Sequence, residues 1–174
     1  ALALVHGETL PSTLVAPRPF RVNAGPVHSY VLLASGETKY LAELEAGDEV
    51  LVVGSPAAST LAASTRPVAV GRVKIETRPH LLIRFREETP PTEEDADVDD
   101  RGRDSSRTGQ ILLQQAETVR LVALRSSSSD DATPATSWYA KSVTQLEPGD
   151  VVAVSFADQG THCGKAIDAR VVER

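Results

Sequence analysis

Two stretches of this chain repeat one another at a constant offset of 102 residues. "YLAELEAGDEVLVV" begins at Tyr40 and "SVTQLEPGDVVAVS" at Ser142, so that Leu44, Gly47, Asp48 and Val50 align with Leu146, Gly149, Asp150 and Val152. Upstream, "YVLLASGETKYLAEL" answers "VRLVALRSSSSDDATPATSWYAKSVTQL", whose loop is longer. Downstream, "GRVKIE" at Gly71 answers "GKAIDA" at Gly164. A unit used twice limits the fold to two related modules. Each unit reads as a hairpin, a tight Gly-Asp turn and two further strands.

Short runs rich in β-branched residues, Tyr30–Leu33, Val50–Val53, Val119–Leu124 and Val151–Val154, carry the strand signal. "VAVGRVKIE" and "HLLIRF" extend the first unit's sheet, with Gly71 expected at a bulge or a close approach. "ILLQQAETVRLVAL" reads either as two strands or as a short helix over Gln114–Glu117 followed by a strand. No segment sustains the helical period of about 3.6. The expected fold is mainly β: two related small barrel-like β units in tandem, with few or no long helices. Residues 1–86 form an N-terminal segment and the first unit, 87–110 an insert, and 111–174 the second unit with a Ser-rich loop at 125–137.

The formal net charge of −6 belongs to the insert. "EETPPTEEDADVDDRGRDSSRTGQ" holds nine acids and three arginines, and the other residues carry 15 acids and 15 bases. The folded body is therefore neutral, and the acidity says nothing about steering a partner to a site. The insert has no aromatic and no periodic apolar residue, so it is expected to be disordered, as is the Ser-rich loop.

Composition excludes several classes. One cysteine, Cys163, rules out an internal disulfide framework and fits a reducing compartment, hence the cytoplasm. No apolar run is long enough to span a bilayer. There is no dinucleotide fingerprint, phosphate loop, zinc-spaced Cys/His cluster or Gly-x-Ser-x-Gly elbow. Basic residues are not interleaved with aromatics, which argues against nucleic acid as a partner. The chain contains no methionine and opens on an alternating apolar run, "ALALVHGETL", that lacks a basic leader. It is expected to be the C-terminal piece of a longer polypeptide.

One segment carries candidate chemistry. Between Glu8 and Glu37 there is no carboxylate, and "APRPFRVNAGPVHSYVLL" holds Arg18, Arg21, Asn23 and His28. Prolines keep the start extended, where residues three apart point to opposite faces unless a turn intervenes. Asn23–Pro26 reads as a turn with Gly25 at positive φ, and His28 and Tyr30 follow on one face of the next strand. Arginines suit bidentate capture of a carboxylate or phosphate, and His28 suits proton transfer near neutral pH. The alternative is that both arginines pair with acids distant in sequence and His28 is a surface strand residue. His6, His80 and Cys163 read as structural, and His162 stays a secondary candidate.

The order Arg-Pro-Phe-Arg-Val-Asn-Ala-Gly-x-Val-His-x-Tyr-Val from Arg18 to Val31 resembles the type II 3-dehydroquinate synthases. Further blocks in the same order are "VGRVKIETRPHLLI" from Val70, "LQQAETVRLV" from Leu113, "LEPGDVVAV" from Leu146 and "LVHGET" from Leu4. Three positions depart from the family pattern: Pro26 for Ala, Gln115 for Asn, and Cys163 for Phe. The family's long N-terminal region does not precede these blocks. The resemblance implies NAD-dependent oxidative deamination of 2-amino-3,7-dideoxy-D-threo-hept-6-ulosonate and cyclisation to 3-dehydroquinate, in the shikimate route to aromatic amino acids. It implies a small-molecule substrate, the missing N-terminal domain as an intramolecular partner, and a cytoplasmic or, in a eukaryote, plastid location. Arg18 or Arg21 would take the substrate carboxylate, with Asn23 beside them, and His28, then His162, would move protons. Lys74 and Glu76 would assist, or would pair with one another. No nicotinamide position and no metal site is implied. The alternatives are a truncated, non-catalytic β module binding an anion or a partner, and a related 3-amino-4-hydroxybenzoate synthase.

Overall fold

The computed structural model describes residues 1–54, 65–87, 107–126, 136–156, 161–162 and 165–166. The strands are β1 (Leu2–Ala3), β2 (Val5–His6), β3 (Tyr30–Leu32), β4 (Thr38–Tyr40), β5 (Glu49–Val53), β6 (Thr65–Ala69), β7 (His80–Arg86), β8 (Thr108–Gln114), β9 (Arg120–Ser126), β10 (Thr136–Ser142), β11 (Val154–Ser155), β12 (Thr161–His162) and β13 (Lys165–Ala166). The only helices among the described residues are two three-residue 3-10 turns, Leu41–Glu43 and Val143–Gln145. The class is mainly β. The described strands do not close into barrels. They pair antiparallel as β3–β4, β5–β6, β7–β8, β1–β11, β12–β13 and the three-stranded β10–β9–β2.

The repeat folds into the same local structure twice, and the reason is a shared set of bonds. Glu45 to Asp48 and Glu147 to Asp150 are turns in which the Asp N–H donates to the Glu carbonyl at 3.2 and 3.1 Å. The third residue of each is a glycine, Gly47 at φ 101° and Gly149 at φ 98°, where a side chain would be strained. Asp48 and Asp150 then reach back, each accepting the Glu45 or Glu147 N–H at 2.7 Å. A lysine nine residues earlier completes each lock: Lys39 Nζ lies 2.8 Å from Asp48 Oδ2, and Lys141 Nζ lies 2.7 Å from Asp150 Oδ1. Lys39 and Lys141 obey the repeat offset, so the lysine belongs to the motif as much as the Gly-Asp pair.

The units differ in burial. Leu113, Val119, Leu121 and Val143 form the buried core, and Ala3, Val5, Leu81, Ile83, Leu146 and Val152 are among those packed around it. That core lies where β1 and β2 join β11 and β9, so the first residues of the chain complete the second unit. Strand pairing also crosses the insert. β7 and β8 form a seven-residue ladder from His80↔Gln114 to Arg86↔Thr108. At its open end Arg107 grips Glu87 through two hydrogen bonds of 2.7 and 2.6 Å. Residues 55–64, 88–106, 127–135, 157–160, 163–164 and 167–174 lie outside the described residues, and with them Cys163, Gly164 and the middle of both loops expected to be disordered. The ends of those loops are strand instead, Thr108–Gln110 in β8, Arg125–Ser126 in β9 and Thr136–Ser137 in β10, because each continues a ladder.

Several local expectations change: "HLLIRF" pairs as β7 with β8 across the insert and does not extend the first unit's sheet, and of the strand expected over Val151–Val154 only Val154 lies in one, β11. "ILLQQAETVRLVAL" is two strands, β8 and β9, joined by a turn at Glu117–Thr118. The strand expected through "VAVGRVKIE" stops at Ala69, because residues 71–79 have no ladder partner among the described residues. Val73 and Ile75 there are consequently exposed. Gly71 marks neither a bulge nor a close approach: it lies outside any strand, and a Cβ added to it would meet nothing within 4 Å.

The turn locks make an acid-stability prediction. Asp150 is held below the ordinary carboxylate pKa of 3.8, first by the Glu147 N–H and then by Lys141. A depressed folded pKa contributes stability that is present above the unfolded value and is lost as pH falls through the folded one. Asp150→Asn keeps an acceptor for the Glu147 N–H but removes the proton linkage. Circular dichroism from neutral to strongly acidic pH should show the variant less stable at pH 7 and losing stability less steeply below about pH 4. Equal acid slopes for the two proteins would contradict this account.

Candidate functional site

The segment from Glu8 to Tyr30 is fastened at three points. The first is Glu8, whose side chain is only 5% exposed. Pro19 does not prolong an extended chain. It opens a turn in which the Arg21 N–H donates to the Arg18 carbonyl at 3.0 Å. The turn brings both guanidinium groups onto one carboxylate, Arg18 Nη2 at 2.5 Å from Glu8 Oε2 and Arg21 Nε at 3.4 Å from Oε1. Backbone bonds close the same loop, with the Arg18 N–H donating to the Glu8 carbonyl at 2.6 Å and the Glu8 N–H to the Arg21 carbonyl at 2.8 Å. The Arg18 contact is an ion pair without hydrogen-bond alignment: Glu8 Oε2 and Arg18 Nε are buried with no hydrogen-bond partner. Two cations on one anion leave the knot with an excess positive charge, and the arginine side chains stay 36% and 41% exposed.

Beside the knot, His6 pairs across the ladder with Arg120, a buried arginine whose Nη atoms lie 3.5 and 3.3 Å from the Leu10 and Pro11 carbonyls. Burial, more than the charge of Arg120, lowers the His6 pKa, although a backbone hydrogen bond at Gly7 opposes the shift. The ring is therefore neutral at pH 7, and its buried Nδ1 has no partner.

The second fastening is Asn23, whose Nδ2 donates to Gln114 Oε1 at 2.6 Å and so ties the segment to the end of β8. The third is Gly25, at φ 119°, where a Cβ would stand 3.1 Å from the Leu112 carbonyl oxygen. The backbone passes β8 at this distance only because the residue is glycine.

His28 lies in the turn before β3, not on the strand itself. With Tyr30 it forms the shared wall of two clefts. The larger, of about 520 Å³, is completed by Val27, Tyr40, Ala42 and Glu43. The smaller, of about 190 Å³, runs towards β1 and β8 between Ala3, Ala24 and Gln110. Tyr30 and Tyr40 face each other across the β3–β4 ladder, their rings stacked at 4.3 Å and their hydroxyls 2.6 Å apart. Glu43 Oε2 accepts the Tyr40 N–H at 3.1 Å, which anchors the 3-10 turn behind the cleft. β12 packs beside β4, so the backbone of His162 runs next to the strand that carries Tyr40. Its side chain lies outside the described residues.

The structure thus brings His28 together with Tyr30, Tyr40 and Glu43. Neither Arg18, Arg21, Lys74 nor Glu76 is among the residues lining the two clefts. Lys74 pairs with Glu76 at 2.7 Å, and Arg78 approaches the same carboxylate at 3.3 Å, all on an exposed non-strand stretch. The tyrosine pair and Glu43 escaped sequence reasoning, although a signal was present: Tyr30 and Tyr40 stand equally far from the hairpin centre at Ser35.

Among the described residues no group of three or more His, Cys, Asp and Glu side chains could hold a metal. No helix of the described residues is long and apolar enough to cross a membrane. Dinucleotide sites commonly set a pyrophosphate on a helix N-terminus after a glycine-rich turn. Helices of three residues offer no such terminus, so the described residues do not fit a dinucleotide in that manner.

Fold and clefts together define a mainly β domain built on a repeated turn, in which one segment carries both a cationic knot and a histidine–tyrosine wall. The family model of the 3-dehydroquinate synthase II C-terminal domain matches residues 1–174. The 3-dehydroquinate synthase of Methanospirillum hungatei is 42% identical over 171 residues, covering 98% of this chain and 42% of the relative. That of Methanocaldococcus jannaschii is 41% identical over 174 residues, covering all of this chain and 38% of the relative. That of Methanosphaera stadtmanae is 42% identical over 173 residues, covering 99% and 38%. The chain belongs to the 3-dehydroquinate synthase II family, in its C-terminal domain. It spans about two fifths of the length of these curated relatives. No solved structure matches it.

The knot makes its own prediction. Glu8→Gln removes the charge that holds two partly buried guanidinium groups together, and should destabilise the domain by about 1–3 kcal/mol in a denaturant melt. The loss should shrink when Arg18 is replaced by Gln in the same protein, because the repulsion between the two cations goes with it. A melt unchanged by Glu8→Gln would show that the knot is not structural.

Proposed function

We propose that this domain serves a type II 3-dehydroquinate synthase reaction: NAD-dependent oxidative deamination of 2-amino-3,7-dideoxy-D-threo-hept-6-ulosonate and closure of the product to 3-dehydroquinate. The observation that carries the reading is the match of all 174 residues to the family's C-terminal domain. The segment Arg18–Val31, on which the family resemblance rests most heavily, folds here as one piece running from the cationic knot to the His28 clefts. Arg18 and Arg21 take the substrate carboxylate, using the positive charge that Glu8 leaves over and the exposed parts of both guanidinium groups. His28 moves protons from the shared wall of the clefts, with His162 as a second group from the neighbouring strand. Asn23 acts as a positioning residue through Gln114. Lys74 and Glu76 bind substrate only by exchanging their mutual ion pair for substrate contacts. NAD is the oxidant. The remaining length of the relatives supplies an intramolecular partner domain, and the whole works in the cytoplasm, or in the plastid of a eukaryotic host.

The test is an assay of the natural full-length protein with the amino-ulosonate and NAD, following NADH by absorbance and the product by mass and chromatography. Dehydroquinate formation is expected; formation of 3-amino-4-hydroxybenzoate from the related precursor, or no NADH at all, overturns the reading. In the same assay Arg21→Ala should raise KM roughly tenfold to a hundredfold, the value of a lost charge-assisted hydrogen bond. An unchanged KM would remove Arg21 from the carboxylate site.

A further inference from the structure

The wall between the two clefts consists of two side chains, His28 and Tyr30, each of which faces both. A ligand lying in either cleft therefore meets both groups. Tyr30 does not stand alone. Its hydroxyl donates to that of Tyr40 at 2.6 Å, across stacked rings that directly opposed ladder positions hold in register. Ring stacking and the antiparallel ladder hold both rings along the larger cleft, so the Tyr30 O–H has only to turn from Tyr40 to meet a ligand.

The chemistry of this wall is specific. His28 can accept a proton. The Tyr30 hydroxyl is pushed up to about 12, first by its hydrogen bond to Tyr40 and then by desolvation and the charges of Tyr40 and Glu43. At neutral pH Tyr30 is a hydrogen-bond donor and never the base. A histidine base and a phenol donor on one wall match a step in which a C–H proton leaves and a carbonyl oxygen gains charge.

Resting on the dehydroquinate-forming reading above, we propose that Tyr30, held in place by Tyr40, is the proton donor to the electrophilic carbonyl oxygen in the ring-closing aldol step, with His28 as the base on the same wall. His28 takes a proton from the carbon beside one carbonyl. That carbon's electron pair forms the new carbon–carbon bond to the second carbonyl carbon. The π pair of the second carbonyl moves onto its oxygen, which takes the Tyr30 proton as the Tyr30 O–H turns from Tyr40 to the substrate and the Tyr40 O–H turns to donate to the Tyr30 oxygen. The proton held by His28 returns to Tyr30 through the solvent-open cleft. One proton leaves and one arrives, the step is an isomerisation, and no oxidant is consumed. Tyr40 is a positioning residue in this scheme, acting on the substrate through Tyr30.

The experiment uses the natural full-length protein and reads two products at once: NADH for the oxidation, dehydroquinate for the closure. Tyr30→Phe keeps the stacked ring and removes the donor. The dehydroquinate formed per NADH should fall about 100-fold, the usual size of a general-acid contribution, with KM for the amino-ulosonate essentially as it was. Tyr40→Phe should give a smaller fall of about tenfold by the same reasoning. It should also bring the highest-titrating tyrosine down from about 12 in an ultraviolet titration, a change that a purely structural role in activity would not link to the product ratio. A wild-type protein that makes no dehydroquinate overturns the functional reading. A working wild type with unchanged product ratios in Tyr30→Phe, or in Tyr40→Phe should the first variant not fold, overturns the Tyr30 assignment alone.

Discussion

The Glu8 carboxylate sits almost wholly out of water between two guanidinium groups, a position that is tolerable only because both cations and the backbone of the Arg18–Arg21 turn close around it. Much of the candidate site depends on that closure. Glu8 continues the chain from β2, which is laddered to β9 in the core-bearing unit. The knot therefore ties the polar segment to the most buried part of the molecule. From there the chain is steered by Asn23 onto Gln114 and by Gly25 past Leu112, and arrives at His28 with little freedom left. A long polar loop with few apolar contacts would otherwise be among the first parts of a domain to open.

The repeat shows the same logic of closure at smaller scale. Each Asp satisfies a backbone N–H that the glycine turn would leave exposed, and each lysine neutralises the Asp. The locks are alike in both units, yet the buried core gathers around only one of them. The difference comes from β1 and β2. These strands bring Ala3 and Val5 onto the second unit, and the first unit's strands β5 and β6 stay half-buried or exposed. A turn motif sets local geometry; burial is settled by which other strands arrive.

Much of this was legible along the chain because it is local. The positive φ of Gly25, the twin Gly-Asp turns and the β class follow from residues within a few positions of each other. The misreadings share a cause as well. "VAVGRVKIE" alternates as a strand should, but alternation records only a preference, and without a partner the ladder ends at Ala69. Pro19 was read as keeping the chain extended, but it opens a turn that delivers two cations to Glu8. His28 and Tyr30 share a wall as their spacing suggests, although His28 reaches it from a turn.

The sequence by itself determined the class, the repeated turns and the positions where only glycine fits, since these depend on backbone sterics and on bonds across a few residues. Tertiary structure alone decided the destinations of the charges and rings. That Glu8, ten residues from Arg18, is the acid both arginines meet, that Asn23 finds Gln114 across 91 positions, and that Tyr40 folds back onto Tyr30 are results of strand register and chain closure. Pairing energy depends on distance in space, and many arrangements of the same residues are compatible with one sequence pattern until the core fixes which strands are neighbours.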